Sequence, residues 1–224
     1  MSCACARRRA RRTQRVGPCA PRRPFSAIVA ASSLATPDIV KVFGISGASG
    51  SGKTTLLDQV IPRFAAAGLR VAGVKHTHHG FDPDTPGKDS WRMRQAGCAN
   101  VVLVGARHLT LMRHYPEAEA SPELADALAV LPANTDLVLV EGYKRSDFPK
   151  LEVFRPDLGR PPLWPEVPSI MAVASDQPQA VAALTALPVL DLADLDAICQ
   201  IIGNSALELT PALAAALAQP HQTR

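Results

Sequence analysis

From residue 39 onward, short apolar runs alternate with stretches in which apolar side chains recur every three to four positions. Residues 39–46 (IVKVFGIS) form one such run and predict a strand. A Gly/Ser-rich turn follows. Leu56, Leu57, Val60, Ile61 and Phe64 then fall at helical spacing, which predicts a helix over 53–67 with a candidate kink at Pro62 and a stop at Gly68. Residues 70–75 (RVAGVK) predict the next strand. Strand, loop, helix and strand in this order are the building block of a parallel sheet with right-handed crossovers.

The rest of the chain continues the alternation. Residues 76–88 hold several Pro, Gly and His and predict a long loop, and 90–96 predict a short helix closed by Gly97. Residues 100–105 and 108–114 predict two strands joined as a hairpin, and 122–131 a helix. The run 137–140 (LVLV) is apolar throughout, as expected of a strand covered on both faces. Residues 150–155 and 169–174 predict further strands, 159–168 a proline-rich loop, and 211–218 an Ala/Leu-rich helix. The expected fold class is α/β: a three-layer fold with a mostly parallel central sheet, of the P-loop NTPase type that the Gly/Ser-rich turn GASGSGKT (47–54) calls for.

The phosphate loop is the strongest chemical signal. Residues 47–54 (GASGSGKT) match G-x-x-x-x-G-K-[ST] and lie between the predicted strand and helix. Small residues at Gly47, Ala48, Ser49, Gly50, Ser51 and Gly52 let the backbone wrap phosphate oxygens so that several N–H groups point inward. The helix N-terminus adds positive potential. Lys53 reaches the β/γ-phosphates, Thr54 offers a hydroxyl to Mg²⁺, and Thr55 faces the α-phosphate. The competing bland reading is a Gly-rich turn with a solvated lysine.

A magnesium nucleotide site calls for an acid at the carboxyl end of a neighbouring strand. Asp136 and Glu141 flank the LVLV run. Ligands gather at the carboxyl ends of parallel strands, which selects Glu141 as metal-side acid and leaves Asp136 as a cap or surface acid. His76, His78 and His79 follow another strand end, where they suit contact with a phosphate or an anionic ligand better than structural zinc. Asp89 is a candidate switch-type residue toward Mg²⁺ or a bound water. Lys88, Arg92, Arg94 and Lys144 add positive charge for a ligand or a partner surface, though exposed salt bridges explain such charges almost as well.

Charge and cysteine count narrow the picture further. The net +4 is a sum of unlike parts: residues 1–37 hold eight Arg and no acid, while 38–224 hold 16 Lys+Arg against 20 Asp+Glu. The body is therefore mildly acidic, and the expectation is no nucleic-acid partner. Three readings of 1–37 stay open: a disordered or misassigned upstream extension, a transit peptide, and a nucleic-acid-binding arm. The expected division is an extension at 1–37 and a P-loop domain at 38–224. Five cysteines without a C-x-x-C pair suit a reducing compartment, and no apolar run is long enough for a membrane helix, so the expected location is cytoplasmic.

Three segments, GASGSGKT, VKHTHHGFDPDTPGKDSWRMRQAG (74–97) and DLVLVEGYK (136–144), occur in this order. Together they resemble the molybdopterin-guanine dinucleotide biosynthesis accessory protein B (MobB) family over about residues 39–175. The resemblance implies a GTP- and Mg²⁺-binding protein with weak GTPase activity, usually a homodimer. It implies assistance to a molybdenum cofactor guanylyltransferase that joins GMP to molybdopterin, with molybdopterin itself a candidate ligand. Carried over, the nucleotide site is Gly47, Gly50, Gly52, Lys53, Thr54 and Thr55, with Glu141 near Mg²⁺; the G-K-D-S stretch falls on Gly87, Lys88, Asp89 and Ser90, followed by Arg92. No N-K-x-D guanine motif is present, and Asp176 after the run SIMAVA is the candidate substitute. The rival readings are a small-molecule kinase using ATP on the same loop and an interaction module with a vestigial loop.

Overall fold

The computed structural model describes residues 40–77, 81–115 and 122–210. Strand β1 (Lys41–Ser46) lies at the centre of a seven-stranded sheet. Its neighbours are β5 (Leu137–Glu141) and β6 (Lys150–Val153), and the order runs β2 (Val71–Lys75), β5, β1, β6, β7 (Ile170–Ser175), β8 (Val189–Asp191). All these pairs are parallel; a two-residue strand β9 (Leu207–Glu208) adds antiparallel to the start of β1. The expected α/β fold with a mostly parallel sheet is what the chain adopts.

A central strand is buried on both faces, so its residues are apolar on both. On one face Phe43 and Ile45 pack with Leu139, Leu151 and Val153 under two helices. Helix α1 (Lys53–Ala66) supplies Leu56, Val60 and Phe64, four residues apart, and helix α5 (Leu195–Ser205) supplies Ile198, Cys199 and Ile202. Burying a side chain such as Phe64 contributes about 1.5–3 kcal/mol. On the opposite face Val42, Val138, Val140 and Phe148 pack beneath Leu124 of helix α3 (Leu124–Ala129). Helices therefore cover both faces, giving three layers. No helix among the described residues is long and apolar enough to cross a membrane.

Two predicted elements are adjusted, each for a local reason. Helix α1 continues past Pro62, which is exposed, so the carbonyl left without a helical donor lies on the solvent side. The helix expected over 122–131 shortens to α3, because Glu123 caps it: its carboxylate takes an N–H from the first turn while its own N–H donates to Asp126 at 2.9 Å. Short helices α2 (Asp89–Gln95) and α4 (Pro178–Ala182) complete the set. Strands β3 (Asn100–Val104) and β4 (Leu109–Arg113) form the expected hairpin as a separate two-stranded sheet. The extension at 1–37 and the helix expected at 211–218 lie outside the described residues.

Gly44 of β1 leaves a hole that Lys150 fills. A Cβ at Gly44 would stand 2.6 Å from Lys150 Cγ and 2.7 Å from Phe148 Cε2. The lysine is wholly buried. Its Nζ donates to Ser146 O, to Phe148 O at 2.9 Å and to Ser169 Oγ at 3.1 Å, and lies 3.8 Å from the centre of the Phe148 ring. Burial pulls its pKa from 10.5 down to about 8, with Asp147 opposing. Between those values the unfolded chain binds more protons than the folded one, so this group's contribution rises with pH through that window and is lost as pH falls through about 8. Wild type is expected to gain about 1–2 kcal/mol over Lys150→Met in urea unfolding between pH 7.5 and 9.5; a constant difference would refute the titration.

Candidate functional site

At the end of β1 the chain must leave a sheet that is paired on both sides and turn at once into α1. Residues 47–52 make that turn with positive φ at Gly47, Gly50 and Gly52 (141°, 78° and 97°). Gly47 is the tightest point: a Cβ there would lie 2.4 Å from Val153 O and 2.8 Å from Ser51 Oγ. At Gly50 a Cβ would meet nothing within 4 Å, so only the backbone conformation favours glycine there. Gly52 caps α1 in the left-handed region and carries no side-chain cap. The amides of the first turn are thus left open toward the loop, the arrangement that receives an anion.

Lys53 opens the helix, and its Nζ folds over the loop, donating to Ala48 O at 2.7 Å and Gly47 O at 3.2 Å. Burial lowers its pKa; Glu141 raises it, and Lys144 and Lys75 lower it. These four side chains therefore share one electrostatic site with three cations to one acid. Thr54 Oγ1 donates to Glu141 Oε2 at 3.4 Å, and Lys75 Nζ stands 3.5 Å from the same oxygen. The sheet register brings this about: Glu141 ends β5 opposite Ile45 of β1 and Lys75 of β2, at the loop's edge. Asp136 ends up at the other edge, where Arg70 grips both its oxygens and lowers its pKa.

A hydroxyl and a carboxylate converging beside a phosphate loop suit Mg²⁺, which takes hard oxygen ligands and commonly binds through one or two carboxylates plus substrate phosphates. Two further polar atoms point the same way. Ser46 Oγ and Ser51 Oγ are buried in and below the loop without a hydrogen-bond partner among the described residues. Unsatisfied buried hydroxyls cost about 1–3 kcal/mol each, and polar groups of a ligand in the loop would relieve that. Ala48 is half-buried, and Ser49 and Thr55 are exposed on the loop's outer side and first helical turn.

The remaining predicted residues divide. His76 follows β2; its N–H donates to Glu141 O at 2.9 Å, and its ring lies 4.5 Å from that of Tyr143. Gly142 is required between them, since a Cβ there would come within 2.8 Å of His76 Cβ. Tyr143 itself holds a φ of 44°, uncommon for a residue with a side chain. Lys144 is exposed next in line. His78 and His79 lie outside the described residues. Asp89, Lys88 and Arg92 are exposed around the start of α2, and their side chains make no hydrogen bond or ion pair with the loop or with Glu141. In this segment it is Asp84 that accepts from Ser90 Oγ (2.7 Å) and Arg94 Nε (3.0 Å), closing the long loop onto α2.

Asp176 follows β7 and pairs with Arg155 NH1, while Arg155 Nε donates to Ser51 O at 2.9 Å. Arg155 and Lys75 were not singled out in the sequence. Both stand at or just past the carboxyl end of a parallel strand, the same signal that selected Glu141.

A sequence profile of the family described as "Molybdopterin guanine dinucleotide synthesis protein B" (MobB) matches residues 42–176. The chain is 40% identical over 140 residues to the molybdopterin-guanine dinucleotide biosynthesis adapter protein of Haemophilus influenzae, covering 62% of this chain and 76% of that protein. To the adapter protein of the same description from Escherichia coli it is 36% identical over 146 residues, covering 65% and 83%. Among solved structures, a MobB protein homolog from Bacillus stearothermophilus aligns with a TM-score of 0.52 at 29% identity, covering 73% of this chain and 95% of that one.

The two loop glycines are expected to differ in a test of stability. Gly47→Ala meets backbone and is expected to cost about 1–3 kcal/mol more than Gly50→Ala, which pays only for its left-handed backbone. Equal losses in urea unfolding would contradict the close approach of Val153 O.

Proposed function

This chain belongs to the MobB family, and on that premise we propose that it is an adapter protein of molybdopterin-guanine dinucleotide biosynthesis that binds GTP with Mg²⁺. The observation that carries the nucleotide reading is the convergence of Lys53, Thr54 and Glu141 at the open mouth of a glycine loop, with Lys75 and Lys144 adding charge. Three cations beside one acid suit a polyphosphate better than a neutral ligand.

In this reading Thr54 and Glu141 would hold Mg²⁺, which would supply positive charge to offset that of the phosphates. Loop amides of 47–52 and Lys53 hold the same oxygens. Weak hydrolysis follows: water attacks the γ-phosphorus, the bond from phosphorus to the β–γ bridging oxygen breaks, that oxygen leaves on GDP with the electron pair, and the water's proton passes to the phosphate released. Lys53 stabilises charge developing on the bridging and γ-oxygens. Asp89 takes the switch-type role toward the attacking water, and Asp176 accepts from the guanine N1–H and N2–H₂ groups. His76, His79, Lys88, Arg92 and Lys144 contact molybdopterin or the guanylyltransferase partner.

Homodimerisation has a surface to work with. On the β3–β4 hairpin Val102 pairs with Leu111 and Val104 with Leu109, so four apolar side chains share one exposed face; Val104 is 76% exposed. Val101, on the opposite face, is buried. Cross-strand apolar pairs that face solvent in one copy are well matched to the same pairs in a second copy. The double change Val104→Glu and Leu109→Glu is expected to shift a dimer to monomer in sedimentation velocity with folding intact; an unchanged sedimentation coefficient would exclude this face.

Calorimetry with Mg²⁺ tests the nucleotide assignment. GTP is expected to bind at least tenfold tighter than ATP, and Lys53→Ala to lose about tenfold or more in affinity through the missing charge-assisted contact. Preference for ATP would move the assignment to a small-molecule kinase.

A further inference from the structure

Arg155 stands two residues beyond the end of β6, with its backbone held on both sides. Upstream, the buried Glu152 carboxylate accepts the N–H groups of Leu163 and Trp164 at 3.0 Å, pinning the proline-rich loop across the strand end. The ring of Phe154 meets Trp164 edge-on at 5.0 Å, and the Phe154 N–H donates to Ala174 O at 2.9 Å. Downstream, Pro156 begins a single 3₁₀ turn for which Arg155 is the cap. From this fixed base the guanidinium reaches across to the glycine loop.

Its contacts bind three neighbouring strands. Arg155 Nε donates to Ser51 O at 2.9 Å, on the loop that follows β1. NH1 pairs with Asp176, which follows β7. NH2 lies 3.5 Å from where a Cβ on Gly52 would sit. The consequence for the loop follows from peptide geometry. In a planar trans peptide the C=O and the N–H point in opposite directions. Holding Ser51 O toward Arg155 therefore turns the Gly52 N–H the other way, away from Arg155. The positive φ of Gly52 (97°) is the conformation that lets this peptide adopt that orientation.

We propose that Arg155, held by Asp176, is a positioning residue for the nucleotide: it locks the Ser51–Gly52 peptide so that the Gly52 N–H faces the phosphates. This rests on the nucleotide-binding reading and adds to it. It also gives Asp176 a task besides any contact with the base. One of its oxygens is committed to Arg155, so its loss affects every nucleotide that needs the loop, whatever the base. A lysine at 155 can reach Ser51 O or Asp176 but lacks the fork that serves both.

The test uses the full chain as wild type, Arg155→Gln, Arg155→Lys, Asp176→Asn and the double Arg155→Gln/Asp176→Asn. Affinities for Mg·GTP, Mg·GDP and Mg·ATP, whose base offers Asp176 neither an N1–H nor a 2-amino group, are measured by calorimetry. Hydrogen–deuterium exchange is followed over residues 47–55 without nucleotide. Arg155→Gln and Asp176→Asn are each expected to weaken all three nucleotides by about tenfold, the loss of one charge-assisted contact. The double variant is expected to be no weaker than the worse single one, and Arg155→Lys to fall between Arg155→Gln and wild type. Exchange in 47–55 is expected to quicken in Arg155→Gln and in Asp176→Asn while the rest of the chain exchanges as in wild type.

Wild-type affinity in Arg155→Gln would overturn the proposal, as would losses that multiply in the double variant. A loss in Asp176→Asn confined to GTP and GDP, with ATP spared, would restrict Asp176 to base recognition and also overturn it. If wild type binds none of the nucleotides, the nucleotide reading fails by itself. The exchange data then decide the brace alone: unchanged exchange over 47–55 in Arg155→Gln and Asp176→Asn would sink it.

Discussion

β1 is paired along both edges and covered on both faces, and its chain must still turn directly into a helix that lies back over the sheet. That turn is possible only because Gly47 brings its backbone against Val153 O, where a Cβ would stand at 2.4 Å. Much else follows from this close approach. It seats the loop against the end of β6, leaves the first-turn amides of α1 open, and sets Lys53 above the loop carbonyls. The packing that makes it stable is the apolar face of α1, with Leu56, Val60 and Phe64 buried beside Ile198 and Ile202 of α5. A rigid hydrophobic joint thus holds a polar loop whose own hydrogen-bond groups are only partly used.

The electrostatics of the loop's mouth reflect the same sheet. Parallel strands bring their carboxyl ends to one edge, so Lys75 and Glu141 arrive beside Lys53 and Thr54 without any long-range pairing signal in the sequence. Lys53 is partly desolvated and crowded by two other lysines, which lowers its pKa, while Glu141 opposes that shift. Cations held close together in this way are relieved by a multivalent anion, and Glu141 supplies the hard oxygen that a divalent cation requires.

Much of this was readable from residue order. The LVLV run and the 53–64 spacing gave the elements, and the strand-end rule puts Glu141 and Asp136 at opposite ends of β5: one lies at the loop edge, the other is clasped by Arg70. What was not readable depends on contacts between distant positions. Arg155 meets Ser51 across 104 residues, and nothing in either local sequence announces it. Lys150 looks like a surface residue in a short strand; it is buried because Gly44, its register partner on the neighbouring strand β1, leaves room for its stem. Asp84, which closes the long loop onto α2 through Ser90 and Arg94, does so by contacts six and ten residues away that its local sequence does not announce.

The central claim is that this loop receives the phosphates of a guanine nucleotide. A crystal structure with Mg²⁺ and a non-hydrolysable GTP analogue tests it most directly. The predicted result places phosphate oxygens on the amides of 47–52, Lys53 Nζ moved from Ala48 O onto phosphate, and the metal between Thr54 and Glu141. A nucleotide bound elsewhere, with Lys53 still on the carbonyls of Gly47 and Ala48, would contradict it.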